Sequence, residues 1–107
     1  MSLYMLQAAY TPESWAKLTR NPQDRTQVIR EGLQKLGCKL VSFYFAFGEY
    51  DTVVVFEAPD EAAAAAFPIS LAATGAFKAV KTTVLITPDR ATEAMRKAAA
   101  TPYQVKM

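Results

Sequence analysis

Residues 42–60, SFYFAFGEYDTVVVFEAPD, contain two apolar runs on either side of the turn Gly48-Glu49-Tyr50-Asp51. Runs rich in aromatic and β-branched residues that flank a glycine-containing turn predict two antiparallel strands. The first strand extends back to Cys38, and the second covers residues 52–58. This hairpin is the centre of the predicted fold, and its aromatic composition is unusual for a sheet that has one face in water.

The residues before the hairpin predict one strand and two helices. An apolar run at residues 3–10 predicts the first strand. Thr11 followed by Pro12 is a typical helix start, and the pair at residues 21–22, Asn-Pro, repeats that signal before a longer helix that Gly37 ends. Apolar residues recur at helical spacing in the longer helix and predict a buried stripe of Val28, Ile29, Leu33 and Leu36.

The residues after the hairpin predict a helix, a strand and a last helix. Asp60 is the predicted N-cap of a helix that ends at Gly75. Pro68 lies inside that helix, and we expect a kink or a break there because proline cannot donate a hydrogen bond to the carbonyl of Ala64. Residues 76–87 predict a fourth strand, residues 87–88 the start of the last helix, and residues 100–107 a tail.

The order of these elements predicts an α+β fold. Strand, helices, strand, strand, helix, strand is the pattern of a ferredoxin-like βαββαβ sandwich, with helices on one face of a four-stranded antiparallel sheet. The last helix is an addition at the C-terminal end. The 107 residues contain no linker or repeat, so residues 1–107 are predicted to form a single domain.

Both faces of the hairpin are apolar. Because side chains alternate along a strand, one face of the first strand has Val41, Phe43, Phe45 and Phe47, and the other has Leu40, Ser42, Tyr44 and Ala46. An apolar face left in water costs about 25 cal/mol per Å². We therefore predict a homodimer or higher homo-oligomer in which two sheets pack face to face, as in a dimeric α/β barrel. A monomer covered by its own tail and last helix is the alternative.

Composition excludes several classes of function. The net charge is +2 and the charges are scattered, so the sequence predicts no nucleic-acid partner. Neither a signal peptide nor a membrane-spanning run is evident, and Cys38 is the single cysteine, so we expect a cytoplasmic protein with no membrane partner. The absence of histidine removes the usual ligand sets, and the sequence predicts no metal site and no cofactor.

The turn has a structural and a functional interpretation. In the first, Gly48 supplies a backbone conformation that other residues avoid, Asp51 accepts hydrogen bonds from nearby backbone amides, and Tyr50 packs its ring. In the second, Tyr50 and Asp51 stand at the mouth of a pocket, where Tyr50 orients a ligand and Asp51 acts as a base. The residue types favour the structural interpretation and leave these two residues as the weak catalytic candidates.

Several polar and aromatic residues are candidates for ligand binding, namely Gln7, Tyr10, Trp15, Tyr44, Tyr50 and Asp51. Tyr10 and Trp15 lie where the first strand meets the first helix. Gln7 and Tyr44 lie on sheet faces, where such residues more often satisfy the sheet or an interface. Cys38 is expected to be a buried, unreactive thiol, because no histidine is available to activate it.

Four ordered segments, YMLQAAYTPESW, NPQDR, FGEYD and KTTVLITPDRATEAM, resemble the GYD domain family over nearly the whole chain. The resemblance implies a ferredoxin-like protomer and sheet-to-sheet dimers within the dimeric α/β-barrel superfamily. That superfamily includes cofactor-independent monooxygenases, lactone isomerases and haem proteins. The GYD family has no established shared activity, so no catalytic residue carries over. Pro68 departs from the family pattern.

Three functions remain open. The first is binding of a small apolar or aromatic molecule between the sheet and the helices, in a pocket lined by Tyr10, Trp15, Tyr44 and phenylalanine side chains. The second is a non-enzymatic oligomerisation or sensing module. The third is an enzyme similar to the cofactor-independent monooxygenases or isomerases. An open pocket with convergent polar groups favours the first, whereas a closed, packed space favours the second.

Overall fold

The computed structural model describes residues 1–104, so residues 105–107 of the predicted tail lie outside the described part of the chain. The elements are β1 Ser2–Tyr10, α1 Pro12–Arg20, α2 Thr26–Lys35, β2 Lys39–Phe45, β3 Thr52–Ala58, α3 Glu61–Ala73, β4 Phe77–Leu85 and α4 Pro88–Ala99. This order confirms the predicted succession of strands and helices.

The four strands form one antiparallel sheet in the order β2-β3-β1-β4. The two central strands, β1 and β3, pair over most of their length, and Leu6 lies opposite Val54. On the other side of β1, Leu6 lies opposite Thr82 of β4. The ferredoxin-like α+β fold is therefore confirmed.

The core lies between one face of the sheet and the helices. Phe56, Leu6, Leu33 and Val54 are its largest fully buried side chains. Leu33 comes from α2, and Phe67 of α3 packs edge-on against Phe56 with ring centroids 5.2 Å apart. Alternate residues of β1 and β3 thus bury one sheet face, which we call the helix face; the opposite face, which no helix of the described chain covers, is the open face.

An irregularity in β2 changes which of its residues share a face. The register with β3 shifts between Leu40 and Ser42, so that Leu40 pairs with Phe56 and Phe43 pairs with Val54. Leu40, Phe43 and Phe45 therefore all lie on the helix face. Strict alternation had placed Leu40 on the opposite face from Phe43, and that prediction was wrong because an extra residue at a bulge reverses the parity.

The helix starts follow the sequence signals in part. The Thr11 side chain caps α1 by accepting a hydrogen bond from the Ser14 N–H at 3.2 Å, as predicted. The second helix begins at Thr26, four residues later than the Asn-Pro signal at residues 21–22 predicted. The reason is that α1 continues to Arg20, so Asn21 is its C-cap, and Asp24 instead accepts from the Thr26 N–H at 2.9 Å.

A kink or a break was expected at Pro68, and helix α3 continues through this residue without a break. The helix buries Ala64 and Phe67 against the sheet, and this packing outweighs the one backbone hydrogen bond that proline removes. Gly75 follows the helix with a φ of +74°, and Gly37 follows α2 with the same value, which only glycine adopts at low cost. Both predicted helix ends are confirmed.

Helix α4 extends away from the rest of the protomer. None of its residues is buried, and within residues 1–104 it packs extensively against no other helix or strand. The radius of gyration is 17.3 Å, whereas about 13 Å is typical of a compact chain of this length. No helix in the described chain has the length and the apolar composition needed to cross a membrane.

Candidate functional site

A cavity of about 470 Å³ opens between α1, α2, α3 and the helix face of the sheet. Its volume lies in the range of small-molecule sites. The lining residues come from all three helices and from the neighbouring ends of β1 and β4; they are Tyr10, Ser14, Lys17, Leu18, Arg25, Val28, Ile29, Gly32, Phe67, Ser70, Leu71, Thr74, Ala76 and Phe77.

The inner wall of the cavity is apolar. Phe67 is almost fully buried, and Phe77 stacks on Tyr10 with ring centroids 5.0 Å apart. Val28 of α2 is 49% exposed, since its side chain faces this open space and not the core. The stripe that the sequence predicted on α2 is therefore divided, because Leu33 is fully buried while Val28 lines the cavity.

The charged groups that line the cavity are both cations. Lys17 of α1 is exposed, and Arg25 just before α2 is half-buried. Among the lining residues that belong to positions 1–104, none is a carboxylate. In the described part of the chain, neither cation has an ion pair or a side-chain hydrogen bond. The cavity therefore carries positive charge that no lining residue neutralises.

The three lining hydroxyl groups from Ser and Thr already donate hydrogen bonds to backbone carbonyls. Ser14 Oγ donates to the Ala76 carbonyl at 2.8 Å, Ser70 Oγ donates at 2.7 Å to the carbonyl of Phe67, and Thr74 Oγ1 donates at 2.6 Å to that of Leu71. The Ser14 hydrogen bond links α1 to the residue before β4, and the other two bonds hold the hydroxyls against the backbone of α3. Together they shape the cavity. They leave few donors for a ligand.

Tyr10 contributes a neutral phenol to the cavity. Burial raises the pKa of Tyr10 above its ordinary value, and the charge of Asp51 raises it further, whereas the nearby positive charge of Arg25 lowers it. The net direction is upward, so the phenol stays protonated at neutral pH. No buried side-chain oxygen or nitrogen in the described residues lacks a partner, so the Tyr10 hydroxyl, which has no protein partner, keeps access to the cavity or to solvent.

Trp15 stands beside the cavity and not inside its lining. Its ring meets Tyr10 edge-on at 5.2 Å and lies 6.4 Å from Phe45, where the two line a shallow groove. Phe45 also approaches Tyr10 and Phe43. Phe43 and Phe45 of the hairpin, which lie on the helix face, thus form with Tyr10 and Trp15 a group of aromatic side chains beside the cavity.

Asp51 joins three strands. Its carboxylate Oδ2 accepts from the Tyr10 N–H at 2.8 Å, its own N–H donates to the Ala8 carbonyl at 2.8 Å, and its carbonyl accepts from the Ala46 N–H at 2.8 Å. Gly48 in the same loop has a φ of +150°. The acceptor role expected of Asp51 is present, but its side-chain partner is the end of β1, 41 residues away, and not an amide of the turn.

The remaining sequence candidates lie apart from the cavity. Tyr50 is half-buried in the turn and, like Asp51, does not line the cavity. Gln7 and Tyr44 lie on the open face, where both are opposite Val53. Of the six candidate residues only Tyr10 lines the cavity, and the structure does not bring Gln7, Tyr44, Tyr50 and Asp51 together around one space.

Cys38 is buried between α2 and α3. Its sulfur lies 3.9 Å from the carbonyls of Leu36 and Ala63, and burial raises the pKa of the thiol. A raised pKa keeps the sulfur as the unreactive thiol at neutral pH. The expected buried, unreactive cysteine is therefore what the structure contains.

Sequence reasoning missed the two cations of the cavity. Arg25, Ile29 and Gly32 recur at helical spacing, and Ser14, Lys17 and Leu18 do the same on α1. These patterns place each basic residue beside an apolar one on a single helix side. Nothing in the sequence indicated that the two sides face each other, because that follows from how α1 and α2 pack on the sheet.

The fold is similar to two solved structures. The crystal structure of MtbAldR matches with 16% sequence identity and a TM-score of 0.56, over 80% of this chain and 52% of that chain, so the chain spans about half the length of MtbAldR. The crystal structure of FFRP-DM1 matches with 15% identity and a TM-score of 0.53, over 80% of this chain and 100% of that chain. Identities this low show a shared fold alone.

The family is settled by the sequence. Comparison with curated proteins finds no match. The sequence model of the GYD domain, in contrast, matches residues 4–95, which include most of β1, the helices around the cavity and the turn at residues 48–51. Because this match covers most of the 107 residues, the chain belongs to the GYD domain family.

Proposed function

We propose that the protein binds a small apolar or aromatic molecule in the cavity between the helices and the sheet. The observation that carries the proposal is an open space of about 470 Å³ with an apolar inner wall on a chain of only 107 residues. Sites for small molecules are typically clefts of this size with mostly apolar walls and a few polar groups. Phe67, Leu71 and Phe77 supply surface for an apolar ligand.

Binding is better supported than acid-base catalysis. Among the described lining residues the ionisable groups are Lys17, Arg25 and Tyr10, and neither a carboxylate nor an imidazole is among them to act as a general base. Asp51, the candidate base, is engaged by the Tyr10 N–H and is not part of the lining. An enzyme of the monooxygenase or isomerase kind is thus the weaker proposal, and a sensing module that binds a ligand remains compatible with the site.

The test fills the cavity without disturbing the core. Gly32 lies within α2, and a Cβ added there would meet no atom within 4 Å, so Gly32→Leu has room for its side chain inside the cavity. The uncharged fluorophore phenylnaphthylamine serves as the probe. We expect the wild-type protein to bind it and Gly32→Leu to weaken that binding at least tenfold.

The matched control adds the same leucine outside the cavity. Ala65 is exposed on α3 and does not line the cavity, so Ala65→Leu should bind the probe as the wild type does. Circular dichroism should show that both variants keep the fold. Equal probe affinity in the wild type and Gly32→Leu, with the fold intact, would rule out this cavity as the binding site.

We also propose that the protein is a homodimer through the open face. The cross-strand row of Ser42, Val55, Met5 and Thr83 on this face has an apolar centre and polar ends, and the neighbouring row of Tyr44, Val53, Gln7 and Lys81 places Val53 beside Gln7 at its centre. An apolar centre with a polar rim is the usual anatomy of a protein interface. A second copy would place the same rows against each other around a two-fold axis.

The extended α4 supports assembly as well. It is amphipathic, and Met95 is 68% exposed on a helix that the rest of the described protomer does not cover. An isolated helix of 12 residues is only marginally stable in water, so a surface beyond the described protomer would stabilise α4. The neighbouring protomer of the dimer provides such a surface.

The buried thiol of Cys38 is compatible with the expected cytoplasmic location.

The oligomer proposal is tested with charges placed on the open face. Val55 is half-buried at the centre of the open face, so Val55→Asp would place an unpaired charge inside the dimer interface and should give a monomer by light scattering at micromolar concentration. Ile69→Asp is the control, since Ile69 is 65% exposed on α3 and should leave the dimer intact. A monomeric wild-type protein would refute the proposal.

A further inference from the structure

The cavity has an uneven distribution of charge that goes beyond an apolar site. Its inner wall is made of aromatic and aliphatic side chains, whereas Lys17, Arg25 and the Tyr10 hydroxyl are its available donors. The Ser14, Ser70 and Thr74 hydroxyls already donate to backbone carbonyls. Two cations and a phenol with no lining carboxylate are the complement of an anionic group.

We infer that the ligand of this cavity is an organic acid, with an apolar or aromatic body against Phe67 and Phe77 and a carboxylate beside Arg25 and Lys17. This inference rests on the proposed function, because it names the chemical class of the molecule bound at the same site. The guanidinium of Arg25 presents a planar set of donors that matches a carboxylate, and Lys17 adds a mobile point charge.

The inference of an acidic ligand depends mainly on Arg25. It is half-buried, and in the described chain it makes neither an ion pair nor a side-chain hydrogen bond. It also precedes α2 without capping that helix through its side chain. A partly desolvated cation without a counter-ion is costly, so an anion that enters the cavity gains more here than at a surface arginine.

Tyr10 adds a neutral donor to the same space. Its phenol stays protonated because burial raises its pKa, and the charge of Arg25 is close enough to act on it. Tyr10 therefore adds to the cavity lining a hydroxyl that can donate a hydrogen bond without bringing in negative charge. The half of the cavity near Tyr10 and Arg25 is where the acid group should lie.

The experiment uses two fluorescent probes that differ in charge. Anilinonaphthalenesulfonate carries an anionic group on the same aromatic body that the uncharged phenylnaphthylamine has. We expect Arg25→Gln to weaken binding of the anionic probe about tenfold, which corresponds to about 1.4 kcal/mol. Binding of the uncharged probe should change less than about twofold. Raising salt from about 0.05 to about 0.5 M should weaken only the anionic probe.

A matched charge change separates this site from the general charge of the protein. Arg30 is exposed on α2, does not line the cavity and contacts Gln27 at 3.1 Å. Arg30→Gln removes the same charge as Arg25→Gln, so it should leave both probe affinities unchanged. An equal effect of the two substitutions on the anionic probe would overturn the inference, because it would show long-range attraction only.

Displacement then tests the carboxylate itself. Phenylbutyrate should displace the anionic probe from the wild-type protein at least tenfold better than phenylbutanol, and this advantage should disappear in Arg25→Gln. Equal displacement by the acid and the alcohol would overturn the inference while leaving an apolar site in place. If instead Gly32→Leu leaves both probes bound as in the wild type, the proposed function itself fails.

Discussion

Replacement of Asp51 should reveal whether this acid stabilises the fold or takes part in chemistry. In the structure its carboxylate accepts the Tyr10 N–H at 2.8 Å, at the point where the register of β1 with β4 shifts. Asp51→Ala leaves that N–H without its charged acceptor. A hydrogen bond to a charged group contributes up to about 3 kcal/mol when buried, and Asp51 is half-buried, so we expect a loss of about 1–2 kcal/mol.

Asp51→Asn provides the graded comparison. An amide oxygen still accepts from the Tyr10 N–H but without the full charge, so this variant should lose less than about 1 kcal/mol. For a domain of this size the alanine variant should melt about 5–15 °C lower than the wild type. Urea titration and thermal melts should therefore rank wild type above Asp51→Asn and Asp51→Ala last.

Hydrogen exchange locates the effect on one amide. The Tyr10 N–H should be protected in the wild type, partly protected in Asp51→Asn and least protected in Asp51→Ala. Glu49→Ala is the control, because Glu49 is an exposed acid in the same loop and its loss should change stability by less than about 0.5 kcal/mol. Equal stability and equal Tyr10 exchange in all these proteins would refute the structural role of Asp51.

Three further changes have expected outcomes. Phe56→Ala should cost about 3–5 kcal/mol in urea unfolding, because the fully buried ring leaves a cavity beside Tyr4 and Phe67; a loss under about 1 kcal/mol would contradict the core described above. Gly37→Ala should cost about 1 kcal/mol through strain at a φ of +74°, since the added Cβ meets its neighbour at an ordinary 3.8 Å; no change in melting temperature would contradict this. Burial raises the folded pKa of Tyr10 above its unfolded value, so stability from the neutral phenol is complete below about pH 10 and is lost as pH rises further, and Tyr10→Phe should reduce this alkaline loss in urea melts.

The succession of elements could be predicted because it depends on local chemistry. Thr11 with Pro12 starts α1, Gly37 ends α2, and short, nearly continuous apolar runs form β1 and β3. Each of these signals acts within a few residues, where side chains cap helix ends or set backbone angles. The apolar residues on both faces of the hairpin and the resemblance of the whole chain were equally visible in the sequence.

Packing between distant segments determined several features that local sequence signals did not predict. The bulge in β2 brought Leu40 to the helix face with Phe43, and core packing of Phe67 and Leu71, which lie on either side of Pro68, kept α3 continuous. Asp51 found its side-chain partner 41 residues away on β1. In each case the interaction that determines the structure joins segments that are distant in the chain, so no short stretch of sequence contains both partners.

By itself, the sequence determined the order of strands and helices and the family, because these follow from residue type and from local spacing. Only the tertiary structure decided where a ligand could lie. The cavity exists because α1, α2 and α3 meet the sheet without filling the space between them, and this brings Lys17 and Arg25 beside Tyr10. A site of this kind is a property of packing between elements, and residue types alone specify it only after the elements are in place.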